Sequence, residues 1–334
     1  MSFFNRLFVF ALIASITCLH SKPCWAWGFY GHKLINRHAV FLLPPQMIVW
    51  YKKNIDYITN HAVDPDKRRN VLAYEGPRHY LDIDHYGKYP YSNLPRHWAD
   101  AVQKYTQDTL QAHGIVPWWV QVMQQKLTQA FKDKDAVKIL KISSDIGHYI
   151  ADAHVPLHVS SNHNGQLTGQ EGIHSFWESR IPELLAEKEW DFFVGPVEYI
   201  KNPLGFIWKH LLESAIAADT VLSVEKTLSL NVPADKQYSF RKKSGKLVKQ
   251  YSTYYTLLYN NALQGMVERR MQQSIYAVAC FWYTAWVNAG QPNLTLLPTQ
   301  TSAIMSISTD SLDVVQGAWL QSMLAQRMHE EDEK

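Results

Sequence analysis

Cysteine is scarce in this 334-residue chain: Cys18, Cys24 and Cys280 are the only three. Cys18 and Cys24 lie within the first 26 residues, so a chain processed after residue 26 would keep only Cys280 and could form no internal disulfide. Another interaction must then stabilise the fold, and a bound metal is one candidate. Charge is also scarce, at 19% of residues with a formal net charge of +3, which does not indicate a strongly basic nucleic-acid or membrane protein. We find no convincing alternating strand pattern, internal repeat or low-complexity tract.

The first 26 residues are typical of a secretory leader, with a basic start, an apolar run over about 7–19 and a small residue at Ala26. The run is too short to span a membrane. We therefore expect an exported protein, periplasmic or secreted, that begins at Trp27 and has a formal charge of +1. The alternative is lipoprotein processing at Cys18, which has a poor lipobox before it and would leave Trp27 without a free amino group.

Helical periodicity dominates the remaining sequence and predicts an all-α fold. We expect one large multi-helix domain with long functional loops over 27–328, followed by a charged tail over 329–334. The predicted helices are 31–43, 98–113, 118–132, 135–155, 206–222, 251–288 and 311–328.

The stretch 237–250 is basic and lies between two tyrosines, Tyr238 and Tyr251. We interpret it as a solvated surface insertion, and a nucleic-acid-binding patch is the alternative. The long segments 84–97 and 160–172 are rich in Pro, Gly, Asn and aromatic residues, and loops of this kind often carry function.

Two histidine–carboxylate pairs are spaced for metal binding. His148 and Asp152 are four residues apart on a predicted helix, so they share one face, and His158 follows the end of that helix. His174 and Glu178 repeat the same spacing. Each pair alone is more often a capping or salt-bridged pair, but imidazole and carboxylate ligands together suit zinc.

A free amino group at Trp27 would add another ligand. The amine and carbonyl of an N-terminal residue can chelate a metal, and His32 lies five residues further on. His79 and either Asp64 or Asp66 complete the candidate set, although composition alone does not single them out.

Taken in chain order from Trp27 to Glu178, these candidate ligands resemble the metal ligands of the superfamily that joins zinc-dependent phospholipase C with single-strand nucleases of the S-one/P-one type. The resemblance covers roughly 150 residues and implies three Zn²⁺ ions. It assigns Asp64, chosen over Asp66 because it lies fifteen residues before His79, to the first ion. The implied ligands are Asp64, His79, His148 and Asp152 for the first ion, Trp27, His32 and the bridging Asp152 for the second, and His158, His174 and Glu178 for the third.

The resemblance also suggests roles around the ions. Asp84 or Asp82 could orient a water or a ligand imidazole, and Lys67 or Arg68 could meet a phosphate oxygen, although surface salt bridges explain these residues equally well. Tyr80 falls where the nuclease branch carries an aromatic residue that stacks on a base. The other histidines, including His154 and His210, are expected to have no role in the site.

The implied activity is hydrolysis of phosphate esters, and three readings stay open. The Trp-Gly-x-x-Gly-His opening favours an endonuclease or 3′-nucleotidase acting on single-stranded nucleic acid. Glu178, in place of the aspartate usual in the nucleases, favours a phospholipase C acting on phospholipid. A non-enzymatic zinc-binding scaffold is the third. We expect a monomer without an obligate protein partner.

Overall fold

The computed structural model describes residues 27–69, 71–243 and 245–299. The predicted leader, the helix 311–328 and the tail 329–334 lie outside these residues. The all-α prediction is confirmed over the described residues, which are mostly helical. Their helices are α1 (Gly28–Ala39), α2 (Pro45–Lys53), α3 (Ile55–Asn60), α4 (Asp64–Arg69), α5 (Trp98–Tyr105), α6 (Gln107–His113), α7 (Val116–Lys132), α8 (Ala136–Ala153), α9 (Ile173–Ser175), α10 (Ile181–Glu189), α11 (Pro203–Asn231), α12 (Ala234–Gln237), α13 (Thr253–Ala262) and α14 (Met266–Asn288).

Two predicted helices are each split in the structure. The helix predicted over 98–113 breaks at Thr106, whose positive φ of 68° ends α5 while its side chain accepts a hydrogen bond from the Thr109 amide at the start of α6. The helix predicted over 251–288 breaks at Gly265, which has a left-handed φ of 73° before α14. Helical periodicity continues through both breaks, so it could not reveal them.

The basic stretch, which we interpret from the sequence as a solvated surface insertion, forms a β-hairpin. Strands β1 (Tyr238–Lys243) and β2 (Lys246–Tyr251) pair antiparallel, with Tyr238 opposite Tyr251 and Phe240 opposite Lys249. Lysine and arginine occupy both faces of this ribbon, so the alternation that marks a half-buried strand is missing from the sequence.

Helix α8 lies at the centre of the fold and is buried along nearly its whole length. It packs against α7 and α14, and α1 packs against α8 and α14. Asp135 caps its start by accepting a hydrogen bond from the Lys138 amide at 3.0 Å, and its last residue stands shortly before Pro156. A buried helix of this kind can hold polar side chains away from water, and α8 carries His148 and Asp152.

Close contact between α1 and α8 depends on Gly147. A Cβ atom at this position would lie 2.1 Å from Asn36 Oδ1, so only glycine allows the observed approach. Asn36 uses the space to donate a hydrogen bond from Nδ2 to the Ser144 carbonyl at 3.0 Å. The same approach stacks His32 of α1 on His148 of α8, with ring centroids 3.7 Å apart.

Cys280 is buried in α14, where burial raises the pKa of its thiol, and this agrees with a packing role. Within the described residues, no helix is both long enough and apolar enough to cross a membrane.

Candidate metal centre

The Asp152 carboxylate lies at the centre of four imidazole rings. Its Oδ1 atom is 3.3 Å from His32 Nε2 and 3.8 Å from His158 Nδ1. Its Oδ2 atom is 2.9 Å from His79 Nδ1 and 3.2 Å from His148 Nε2. The four histidines come from different segments of the chain, and the two oxygens of one carboxylate face different rings. A side chain in this position can bridge two metal ions.

Backbone carbonyls orient two of these rings. His148 Nδ1 lies 2.8 Å from the Ala62 carbonyl, and His158 Nδ1 lies 2.7 Å from the His79 carbonyl. A carbonyl can only accept, so each Nδ1 carries a proton, and Nε2 is the nitrogen that each ring can offer to a metal ion. His148 Nε2 faces Asp152, and His158 Nε2 faces Glu178. Second contacts of this kind set the tautomer that metal-binding histidines require.

A second group is formed by His158, His174 and Glu178. Glu178 Oε2 lies 3.0 Å from His174 Nε2 and 3.7 Å from His158 Nε2. His174 belongs to α9, and Glu178 to the π-helix Phe176–Arg180 that follows it directly. The pair was predicted on an ordinary helix. One-turn π-helices are frequently found at functional sites.

Trp27 joins this second group through its backbone. Its nitrogen lies 2.6 Å from Glu178 Oε2, and its indole Nε1 donates a hydrogen bond to the Ala151 carbonyl at 2.8 Å. The indole is fully buried against Trp177, with ring centroids 5.0 Å apart. The resemblance assigned the Trp27 nitrogen to the ion of His32 and Asp152, whereas the structure places it beside Glu178.

Asp66, and not Asp64, faces the centre, which corrects the sequence assignment. Asp66 is buried, and its Oδ1 lies 3.8 Å from His148 Nε2 and 3.9 Å from His79 Nδ1. Asp64 pairs instead with His61 at 2.5 Å and with Lys67 at 2.7 Å, away from the centre. Residues two apart on a helix point to nearly opposite sides, so only one of the two aspartates can face the histidines.

Matched variants of the two aspartates test this correction. We expect Asp66→Asn to weaken metal binding by more than the roughly 10–100-fold that follows loss of an outer partner, because it removes a candidate ligand. Asp64→Asn makes the same chemical change two residues away and should keep the metal. The measurement is metal content after dialysis against increasing concentrations of chelator. If Asp64→Asn lost metal more readily than Asp66→Asn, Asp64 would again be the candidate ligand.

Several buried polar atoms of the centre lack a hydrogen-bond partner among the described residues. Buried polar groups are normally satisfied, so a cluster of buried nitrogens and oxygens without partners calls for a ligand, and metal ions bind imidazole nitrogens and carboxylate oxygens. The residues can hold metal in three groups whose ligand atoms lie within 4.8 Å of one another: His32, Asp66 and His148; His79, His148 and Asp152; and His158, His174 and Glu178. The orphaned atoms are His32 Nδ1 and Nε2, Asp66 Oδ2, His79 Nε2, Asp152 Oδ1, His158 Nε2 and Glu178 Oε1.

Burial and the neighbouring charged groups shift the pKa values of Asp152 and His148 in opposite directions. Burial alone would raise the pKa of Asp152, but His148 and His158 outweigh it and hold that pKa well below its usual range. Burial alone would lower the pKa of His148, but Asp152 and Asp66 bring it to about 9. A proton on His148 therefore competes with a metal ion, and metal affinity should fall as the pH is lowered.

A cleft of about 250 Å³ opens beside the centre. Tyr80, the aromatic residue to which the resemblance gives base stacking, lines it together with His79, His158 and His174 of the centre. The Tyr80 hydroxyl donates a hydrogen bond to the Ala112 carbonyl at 3.2 Å. Gly114, with a φ of 90°, allows this packing, because a Cβ there would lie 2.2 Å from the Tyr80 carbonyl oxygen.

Arg69 is the cation that lines the cleft, and sequence reasoning missed it. It also lies 3.5 Å from Asp66. Lys67 pairs with Asp64 outside the cleft lining, and Arg68 is held by Asp145 at 3.1 Å. Of the three consecutive cations, Arg69 therefore lines the cleft, whereas Lys67 or Arg68 was considered from the sequence for a phosphate contact. Three consecutive cations point in three directions on a helix, and the sequence does not show which one faces the site.

Asp82 and Asp84 have different surroundings. Asp82 lines the cleft, and its burial, followed by the nearby Asp84, raises its pKa to about 6. Asp84 accepts hydrogen bonds from the Ser161 amide at 3.1 Å and from the Ser161 hydroxyl at 2.6 Å, so it braces the loop over 160–172. Of the two residues considered from the sequence for orienting a water or a ligand imidazole, Asp82 is the one that lines the cleft.

His154 lies outside the centre, as expected. It is buried against His210, with ring centroids 4.6 Å apart, and its Nδ1 donates to the Ile150 carbonyl.

No protein-family model matches the chain, and no curated protein matches it. The described residues form a mostly helical fold with buried histidine and carboxylate groups that could bind metal ions.

Proposed function

We propose that this protein is a zinc-dependent hydrolase of phosphoric ester bonds that holds three Zn²⁺ ions. The observation that carries the proposal is the Asp152 carboxylate, whose two oxygens each face two imidazoles in a buried site. The donors are imidazole nitrogens and carboxylate oxygens, the set that zinc prefers. The resemblance to the phospholipase C and single-strand nuclease superfamily, with Asp66 in place of Asp64, supports the same conclusion.

Clustered zinc ions would lower the pKa of a bound water and neutralise charge on a phosphoryl group. The protein groups would prepare this chemistry. The Ala62 and His79 carbonyls orient the His148 and His158 rings through Nδ1, so that Nε2 of each ring could bind an ion. Arg69 in the cleft would attract the anionic ester.

Asp82 would donate or accept a proton at the rim of the cleft. A carboxyl with a pKa of about 6 exchanges protons near neutral pH, as a general acid or base must. Asp82 lines the cleft, which is the space that we propose for the substrate.

We propose single-stranded nucleic acid or a 3′-nucleotide as the substrate. Tyr80 supports this choice, because its half-buried ring lines the cleft beside His158 and His174, where a base next to the scissile phosphate could stack. A phospholipase C is the second candidate, and Glu178 favours it. The leader-like start supports export to the periplasm or the medium with cleavage before Trp27.

The proposal is tested with zinc-loaded protein that begins at Trp27. It should be incubated in parallel with single-stranded RNA, single-stranded DNA, 3′-mononucleotides and phosphatidylcholine. We expect zinc-dependent cleavage of the nucleic-acid substrates. Hydrolysis of phosphatidylcholine alone would contradict the nuclease proposal and favour a phospholipase C. Three bound ions with no turnover of any ester would favour a non-enzymatic zinc-binding scaffold.

Replacing Tyr80 tests its role separately from the metals. We expect Tyr80→Ala to weaken binding of a single-stranded oligonucleotide by about 1–3 kcal/mol, the usual value of one stacked base. Tyr80→Phe keeps the ring and removes only the hydrogen bond to Ala112, so it should bind nearly as the parent does. The measurement is KM on an oligonucleotide and on bis(p-nitrophenyl) phosphate, which has no base to stack. An equal loss on both substrates would contradict base stacking.

A further inference from the structure

The β-hairpin over 238–251, here called the cationic hairpin, concentrates the positive charge of the protein. It contains Arg241, Lys242, Lys243, Lys246 and Lys249 and no acidic residue, in a chain whose formal net charge is only +3. Lys226 and Lys236 precede it, with Asp235 as the single acid between 226 and 251. A local charge of this size in a nearly neutral chain attracts an anionic surface.

Apolar side chains are exposed among these cations. Phe240 is 66% exposed, Leu247 is 71% exposed and Val248 is 42% exposed. The strand register pairs Phe240 with Lys249 and Leu247 with Lys242, so Phe240 and Leu247 lie on one face of the ribbon, and Val248 lies on the other. Both faces near the turn therefore present an apolar side chain beside a cation.

The base of the hairpin is fixed to the metal centre. Tyr251 stacks on Phe176 with ring centroids 3.7 Å apart, and Arg180 Nε donates a hydrogen bond to the Tyr251 carbonyl at 3.2 Å. Phe176 lies between His174 and Glu178 in the chain. The base of the hairpin therefore packs against the segment that carries His174 and Glu178.

We propose that the cationic hairpin docks the protein on a bilayer surface that contains anionic phospholipid. Lysine and arginine would meet the headgroups while Phe240, Leu247 and Val248 enter the boundary with the acyl chains. Long cationic side chains suit this position, because their stems can lie among apolar groups while the charged ends stay in water. The docking goes beyond the proposed reaction, since it concerns where the protein is held and not which ester it cleaves.

A single-stranded nucleic acid fits the hairpin less well. Such a polyanion binds by stacking its bases on exposed aromatic rings. The Tyr238 ring is already engaged, with Tyr251 at 5.0 Å and Lys249 Nζ at 3.6 Å from its centroid. Two of the three exposed apolar side chains, Leu247 and Val248, are aliphatic and offer no ring to a base.

Vesicle sedimentation tests the docking with the full processed chain. We expect it to pellet with vesicles of phosphatidylcholine and phosphatidylglycerol and to stay in solution with phosphatidylcholine alone. The double variant Lys242→Gln/Lys249→Gln should partition about tenfold less or weaker still, as expected for two cations near an anionic surface. Lys52→Gln/Lys53→Gln, which removes two exposed cations of α2, is the matched control and should bind like the parent.

A second pair of variants tests the apolar contribution. Leu247→Ser/Val248→Ser should also lose the vesicles, whereas Phe193→Ser, at a side chain that is 90% exposed elsewhere, should not. Circular dichroism and metal content should match the parent in every variant, because these side chains lie at the surface. Turnover of a soluble phosphodiester should likewise be unchanged, which separates failure of the docking from failure of the proposed reaction.

A fluorescent reporter locates the contact. Cys280 is buried, so a thiol introduced by Leu247→Cys can be labelled selectively with a polarity-sensitive dye. Its emission should shift to the blue with anionic vesicles, and a label at Phe193→Cys should not shift. The proposal is overturned if the parent fails to pellet, if the hairpin variants pellet equally well, or if they lose oligonucleotide binding while keeping the vesicles.

Discussion

Asp152→Asn should abolish ester hydrolysis and release more than one metal ion per protein. Each carboxylate oxygen of Asp152 lies near two imidazole rings, with oxygen–nitrogen distances between 2.9 and 3.8 Å. An amide cannot offer two anionic oxygens, so each of the two ions that the proposal assigns to this side chain should lose a ligand. Loss of a single electrostatic stabiliser costs about 10²–10³-fold in turnover, and we expect a larger effect here. The measurements are kcat on a phosphodiester and metal content by elemental analysis.

The control is Asp133→Asn, which removes an exposed carboxylate just before α8 and should leave metal and turnover unchanged. Circular dichroism distinguishes loss of metal from loss of the fold. A variant at Asp152 that kept three ions with low activity would disprove the bridging role, while a fully active one would remove Asp152 from the centre.

One extra residue before Trp27 should lower turnover by about 100-fold or more, the effect expected when a group that organises the reacting site is lost. The Trp27 nitrogen lies 2.6 Å from Glu178 Oε2, so an amine at this position would join the ligands directly. Extension turns that amine into an amide, which is a poor metal ligand. Helix content should hardly change, because the indole stays packed on Trp177.

Proteolytic removal of the extra residue provides the control, since turnover should return in the same sample. Trp27→Phe in a chain that begins at this residue keeps the amine and loses the indole hydrogen bond to Ala151. It should therefore keep more activity than the extended chain, although it will be less stable. Full turnover by the extended chain would show that the amine is not a ligand.

Helical character was readable from the sequence because it depends on local periodicity. The predicted helices over 118–132 and 135–155 appear as α7 and α8 with small changes at their ends. The breaks at Thr106 and Gly265 were not readable, since apolar spacing is similar on both sides of each break. The hairpin was missed because its strands alternate cations with other polar or exposed residues, without a buried face.

Pairs within one helix were likewise fixed by local geometry. His148 and Asp152 are four residues apart, so they share a face of α8 wherever α8 packs. The same spacing brings His174 and Glu178 together, even though the turn between them is a π-helix.

The sequence by itself thus determined the helical class and the short-range ligand pairs, because both follow from the 3.6-residue helical repeat. Only the tertiary structure decided that Asp66, rather than Asp64, faces the histidines and that Arg69, rather than Arg68, lines the cleft. Each of those choices depends on the rotation of α4 about its own axis. Helix α4 packs against α8, and a contact between distant segments of this kind is not encoded in the local 3.6-residue pattern.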